Sequence, residues 1–348
     1  MDKNAVKSAN ILIIGGSGYV GRIIHNVLQK RNPNLNVYIG SRGVESNEDN
    51  KINIDVTNPK TFKVMDERNI DILLLCSTDK EDYILKHCIS KSIDYIDITK
   101  PTHELQTAYK YAERKNVSSR IVFSSGWMSG IIGSLLYWAE PAFKSILEVQ
   151  IFIYYSLNDR SGKTSADFMA DVVSKPFKIF MNNNSFLVKY YTKPRGHMYS
   201  FNIGRCKTYL FDTPDALILN TSENIPTIET RTTYSSKFVT WLLYMFQITG
   251  AFHILSSNIK KKMFASNGTG DRTIFEIVIK TKNTSQKISI QNSTGQADLT
   301  AFATVLHIEQ LLKNEQGTGV YFSHQIHEPT TFVENLLSKK SIEVLINE

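Results

Sequence analysis

The chain has 348 residues, 42% hydrophobic and 21% charged, the composition of an ordinary globular protein of about two domains, which excludes a disordered or low-complexity chain. Lys plus Arg exceed Asp plus Glu by 40 to 33, for a net charge of +7, yet the longest basic run is only Lys260 to Lys262; the scatter excludes the basic, aromatic-interleaved stripe of a nucleic-acid reader and suits small anionic ligands. Cys76, Cys88 and Cys206 are too sparse for a disulfide framework or for zinc CxxC pairs, and the polar opening MDKNAVKSAN is no signal peptide, so the expectation is a cytoplasmic chain without a metal.

In chain order, residues 11 to 14 (ILII) are an unbroken apolar run, the pattern of a parallel strand covered on both faces. Val20, Ile23, Ile24, Val27 and Leu28 then recur at helical spacing until Asn32-Pro33 stops the helix. Val37 to Gly40 reads as a strand, Ile72 to Cys76 as a strand, Glu81 to Ser90 as a helix, Tyr95 to Ile98 as a strand, His103 to Lys115 as a helix and Ile121 to Phe123 as a strand. This alternation predicts an α/β fold with a doubly wound parallel sheet over residues 1–127.

Beyond Gly126 the pattern changes. Glu148 to Tyr155, Phe186 to Tyr191, Thr273 to Thr281 and Lys287 to Ile290 read as longer strands of mixed polarity, which predicts a second α+β domain over 128–295 with a mainly antiparallel sheet. Phe238 to Leu255 carries no charge and reaches the lower limit of a membrane-spanning length. A buried or dimer-forming helix is the preferred reading, and contact with a membrane surface stands beside it. Phe302, Val305, Leu306 and Leu312 mark a late helix, and Val320 to Phe322 a short strand, so 296–348 is expected to return to the first domain.

The turn after the first strand reads Gly15-Gly16-Ser17-Gly18-Tyr19-Val20-Gly21, a GxGxxG set between an apolar strand and an amphipathic helix. That context makes it a Rossmann-type dinucleotide loop, in which glycines permit a tight turn, close approach of a pyrophosphate and close packing of helix on strand. Where an NAD-selective site carries Asp or Glu at the end of the next strand, this chain carries Ser41-Arg42. A hydroxyl and a guanidinium suit a 2′-phosphate, so the expected cofactor is NADP(H).

Ligands of open α/β sheets sit beyond the carboxyl ends of the strands. This singles out Cys76, Ser77 and Thr78 for cofactor contact, Asp97, Thr99 and Lys100 for catalysis, and Trp127 for substrate. Asp97 and Thr99 fit an Asx-type cap equally well, and Lys100 needs a depressed pKa to act as a base. In the second domain Arg160 and Lys163 are candidates for clamping a substrate carboxylate, or else part of a solvated loop. The YxxxK spacing at Tyr111 to Lys115 lies before the strand at 121 to 123 rather than after it, and reads as a surface helix face.

Several stretches together resemble the saccharopine dehydrogenase/reductase-like family of NADP-binding oxidoreductases. They are ILIIGGSGYVGR (11 to 22), Ser41-Arg42, LLLCST (73 to 78), HCISKSIDYIDIT (87 to 99), FSSGW (123 to 127) and the tail from ADLTAFATVL (297 to 306) to GTGVYF (317 to 322). Where the family commonly continues with glycine and an acidic residue, this chain has Lys100-Pro101. The resemblance implies a Rossmann domain completed by C-terminal segments and a middle domain for substrate and homodimer contacts. It also implies hydride transfer between NADP(H) and a carbon–nitrogen bond joining an amino acid to an oxo compound. Reduction of another carbonyl or enoyl compound, or a non-catalytic NADP(H) sensor, are the alternatives.

Overall fold

A computed structural model describes residues 9–43, 50–140 and 143–347. The chain is an α/β protein dividing into two compact units, Met1–Ile131 with Thr300–Phe332, and Ile132–Leu299 with Val333–Glu348.

Among the described residues, the first unit holds a seven-stranded sheet. Its strands are β1 (Asn10–Ile14), β2 (Asn36–Ser41), β3 (Lys51–Asn53), β4 (Ile72–Leu75), β5 (Asp94–Asp97), β6 (Arg120–Phe123) and, late in the chain, β15 (Gly319–Phe322). The order is β15-β6-β5-β4-β1-β2-β3, parallel throughout. Helices α1 (Tyr19–Arg31), α2 (Lys63–Glu67), α3 (Tyr83–Lys91) and α4 (Thr102–Glu113) connect the strands. Each of the longer three lays one face on the sheet: α1 buries Ile24 and Leu28, α3 buries Ile84, Leu85 and Cys88, and α4 buries Leu105, Ala108 and Ala112. Ile13, Leu74, Ile96 and Val122 form the sheet side of a core that α11 (Gln296–Leu312) completes with Ala301, Val305 and Ile308. Each such aliphatic contributes about 1.5–3 kcal/mol on burial. Just past the end of α4 the Lys115 ammonium lies 5.1 Å from the ring centroid of Tyr111 in its last turn, so the YxxxK pair closes on itself.

The second unit is built on a nine-stranded mixed sheet among the described residues. Its strands are β7 (Glu148–Tyr155), β8 (Phe177–Met181), β9 (Asn184–Val188), β10 (Arg195–Tyr199), β11 (Gly204–Phe211), β12 (Thr227–Tyr234), β13 (Thr273–Lys280), β14 (Ser285–Asn292) and β16 (Ile342–Asn347). The path is β10-β11-β12-β7-β13-β14-β16; only the β12–β7 pair is parallel. The expected strand at 186 to 191 stops at Val188, and Tyr191 takes a left-handed turn (φ 53).

Two expectations need correction. The uncharged stretch 238 to 255 is not one helix: α8 (Lys237–Ile248) ends, Gly250 turns left-handed (φ 77), and the short α9 (Ala251–Ile254) follows. No helix among the described residues is long and apolar enough to cross a membrane. The tail, expected to return whole to the first unit, divides instead, because β15 pairs with β6 whereas β16 pairs antiparallel with β14.

Candidate functional site

The order in which the strands are added reverses at β1, which has β2 on one side and β4 on the other. A crevice opens at such a switch point, beyond the carboxyl ends of the strands. Because all the strands point one way, the segments after Ile14, Ser41, Leu75, Asp97 and Phe123 leave the sheet at this edge.

Glycine is required at two positions of the first loop. Gly15 sits at φ +83, and a Cβ there would lie 2.8 Å from the carbonyl oxygen of Cys76. At Gly21, in the first turn of α1, a Cβ would strike the Gly15 carbonyl and lie 2.7 Å from the Gly16 Cα, so only glycine lets the helix seat on the loop. Gly18 is the N-cap, extended (φ −70, ψ 173), with no side-chain cap and no acidic residue in the first turn. Gly18 and Ser17 are exposed, and a Cβ on Gly18 would meet only the Gly15 carbonyl, at 3.1 Å. No capping side chain and no first-turn carboxylate competes for the positive end of α1, a position that favours an anion. A pyrophosphate fits this cradle.

At the end of β2, Ser41 is half-buried and Arg42 exposed, and the next N–H, of Gly43, donates to Asn53 Oδ1 at 3.2 Å. The Asp55 carboxyl is held below its ordinary value first by the Thr57 backbone N–H, then by the Thr57 hydroxyl and, less strongly, by the Arg42 charge. Sequence reasoning passed over Asp55; the signal was its Asx turn, with Oδ1 accepting from Thr57 N at 2.9 Å. Cys76 is tied to β1 by its N–H, which donates to the Ile14 carbonyl at 2.8 Å. Burial, and then the charge of Asp97, pushes its thiol up, so Cys76 stays protonated. Ser77 is half-buried beside Gly15, and Thr78 is exposed.

Asp97, Thr99 and Lys100 come together, though not as a freely accessible acid–base set. Asp97 Oδ1 accepts from the Thr99 N–H (2.8 Å) and hydroxyl (2.7 Å), while Oδ2 accepts from the Tyr95 hydroxyl at 2.7 Å. This is an Asx turn at the end of β5; the cap of α4 is Pro101. The buried Lys100 Nζ lies 2.5 Å from Asp82 Oδ1 and 3.7 Å from Asp97 Oδ2, and donates to the Asp79 carbonyl at 3.1 Å. Burial opposes its charge, but Asp97, Asp82 and Asp79 outweigh burial and raise the pKa, so Lys100 remains an ammonium. A base role asks for a depressed pKa, and this cluster shifts Lys100 the other way. Asp79 also receives the N–H groups of Tyr83 (3.2 Å) and Ile84 (2.8 Å), which anchors the start of α3. Sequence reasoning missed Asp79 and Asp82.

Trp127, half-buried, donates its N–H to Ser125 Oγ at 3.4 Å and accepts the Thr300 hydroxyl on its carbonyl at 3.1 Å, which joins the end of β6 to α11. Arg160 and Lys163 belong to the second unit. Both are exposed; the Arg160 N–H donates to Asp159 Oδ1 at 2.8 Å, and Lys163 opens α6 (Lys163–Val172).

No family model matches the chain, and no curated protein matches its sequence. Among solved structures, the apo saccharopine dehydrogenase (L-Glu forming) of Saccharomyces cerevisiae superposes with a TM-score of 0.65 over 98% of this chain and 99% of that one, at 10% identity. The chain has the fold of saccharopine dehydrogenase. The DAP dehydrogenase of C. glutamicum, solved with DAP, matches over 95% of this chain and 99% of that one at 14% identity, with a TM-score of 0.48 that adds nothing to the assignment. The saccharopine dehydrogenase fold thus extends through the middle of the chain, where no sequence motif pointed to it.

Proposed function

We propose that the chain is an NADP(H)-dependent oxidoreductase of the saccharopine dehydrogenase type, acting at a carbon–nitrogen bond between an amino acid and an oxo compound. The observation that carries the proposal is the glycine loop without a side-chain cap at the switch point, followed at the end of β2 by Ser41 and Arg42 in place of a carboxylate. The fold shared with a saccharopine dehydrogenase supports the reaction class.

The backbone of Gly15 to Gly21 would hold the pyrophosphate, Ser41 and Arg42 the 2′-phosphate, and Cys76 to Thr78 the inner part of the dinucleotide. The nicotinamide supplies the hydride chemistry. Asp97 fixes the Thr99 hydroxyl by accepting its hydrogen bond, and the Lys100 ammonium, its charge countered by Asp97 and Asp82, ties the segments after β4 and β5 together.

Calorimetry on purified chain stripped of nucleotide should show heat with NADPH. Arg42→Ala should weaken NADPH about tenfold to a hundredfold, as expected for loss of a charge-assisted phosphate contact, and leave NADH nearly unchanged. Equal losses for both coenzymes contradict the 2′-phosphate contact. Absorbance at 340 nm against paired amines and oxo acids then tests the reaction, and inactivity across a broad panel with NADPH binding intact removes it.

A further inference from the structure

In the second unit, α8 buries one face and leaves an apolar one exposed. Thr240, Leu243 and Gln247, spaced i, i+3, i+7, are buried. On the opposite side Phe238, Trp241 and Ile248, spaced i, i+3, i+10, are 66%, 47% and 51% exposed. Ile254 (87%) on α9 and Ile259 (48%) on α10 (Ser257–Phe264) are exposed as well. From Phe238 to Ile259 the sequence has no Asp, Glu, Lys or Arg, and cations flank it: Lys237 before, Lys260 to Lys262 after. Lys261 pairs with Asp167 at 2.9 Å and Lys260 donates to Ser174 Oγ at 3.3 Å, while Lys237 and Lys262 are exposed. Trp241 also borders an open cavity of about 560 Å³ lined by Arg205, Lys207, Lys237 and Tyr209.

Large apolar side chains left in water forgo up to about 1.5–3 kcal/mol of burial each, so a run of them over three successive helices marks a surface that meets something apolar. The cations around it select an anionic partner. A second copy brings the same cations to the interface, whereas an anionic bilayer offers phosphates to them and an acyl boundary to the aromatic and aliphatic row. We infer that α8 to α10 form a membrane-docking face, with Phe238, Trp241, Ile248 and Ile254 in the headgroup–acyl boundary of an anionic phospholipid surface and Arg205, Lys207 and Lys237 against lipid phosphates. The helices lie on the membrane and do not span it, α8 being only 12 residues long. The inference is independent of the redox reaction.

The test is flotation of the full chain with vesicles of phosphatidylcholine alone or mixed with phosphatidylserine, with Trp fluorescence read in parallel. Expected are binding to the anionic vesicles only, a blue shift on binding, and release by salt. Phe238→Ser/Trp241→Ser should lower binding at least about tenfold. Arg205→Ala, Lys207→Ala and Lys237→Ala should each lower it about fivefold. These side chains are exposed, and an unchanged circular dichroism melt confirms folding. The inference is overturned if the chain ignores both vesicles, if the double variant binds as wild type does, or if light scattering shows a dimer that the double variant splits while vesicles remain free.

Discussion

Lys100 balances acidic groups drawn from two segments: Asp97 at the end of β5, and Asp79 and Asp82 ahead of α3. Removing one member of a buried ion pair leaves an uncompensated charge and costs about 3–5 kcal/mol, far more than the pair itself adds. Lys100→Met keeps most of the volume and removes the cation. Its urea midpoint should therefore fall by the equivalent of about 3 kcal/mol or more, and an unchanged midpoint means that the carboxylates find other partners. The same cluster shows what local sequence can carry. Asp97 and Thr99 were legible because an Asx turn is closed by residues two apart. Asp79 and Asp82 were not, because their meeting with Lys100 depends on β4 lying beside β5, which no local spacing encodes.

At the scale of elements, the parallel strands were legible because burial on both faces leaves unbroken apolar runs, as in ILII of β1 and ILLL of β4. The glycine loop was legible because backbone geometry dictates residue type. The second unit resisted. Helix α7 (Pro214–Glu223) buries Ala216, Leu217, Ile218 and Leu219 in succession, so it shows no amphipathic period. In α8 the absence of charge concealed both the exposure of one face and the break at Gly250. That break yields a prediction. A Cβ at Gly250 would meet nothing within 4 Å, yet φ is +77. The cost of Gly250→Ala is therefore conformational alone, about 1–2 kcal/mol, readable as a drop in melting temperature. A stabilised Gly250→Ala would mean that the chain straightens α8 and α9 into the single helix expected from sequence.

For the whole molecule, chain order and unit membership diverge: residues after Thr300 finish a unit that the opening residues began, and the last strand closes the other sheet. The stability of the first unit thus depends on late segments, and one of them carries a titrating device. His307 on α11 is buried; its Nε2 lies 2.6 Å from the Ser129 carbonyl, its Nδ1 2.6 Å from His327 Nε2, and its ring stacks on Phe332. With Nε2–H donating to the carbonyl, Nδ1 accepts from His327, an arrangement that requires His307 to be neutral. Burial pushes His307 from 6.5 down to about 4, against the Ser129 carbonyl, which favours the charged form, and with the help of His324. Burial, and then the charges of His307, Lys313 and His324, lowers His327 as well. Unfolding lets His307 take up a proton at its ordinary pKa, so its stabilising contribution is complete above pH 6.5 and is lost as pH falls towards 4. At pH 5 the loss from His307 alone is about 2 kcal/mol. Urea unfolding at pH 7.5 and 5 should show that decrease, and His307→Gln, which can still donate to Ser129 and accept from His327, should flatten it. A His307→Gln profile as steep as that of the wild type would place the proton uptake at other groups.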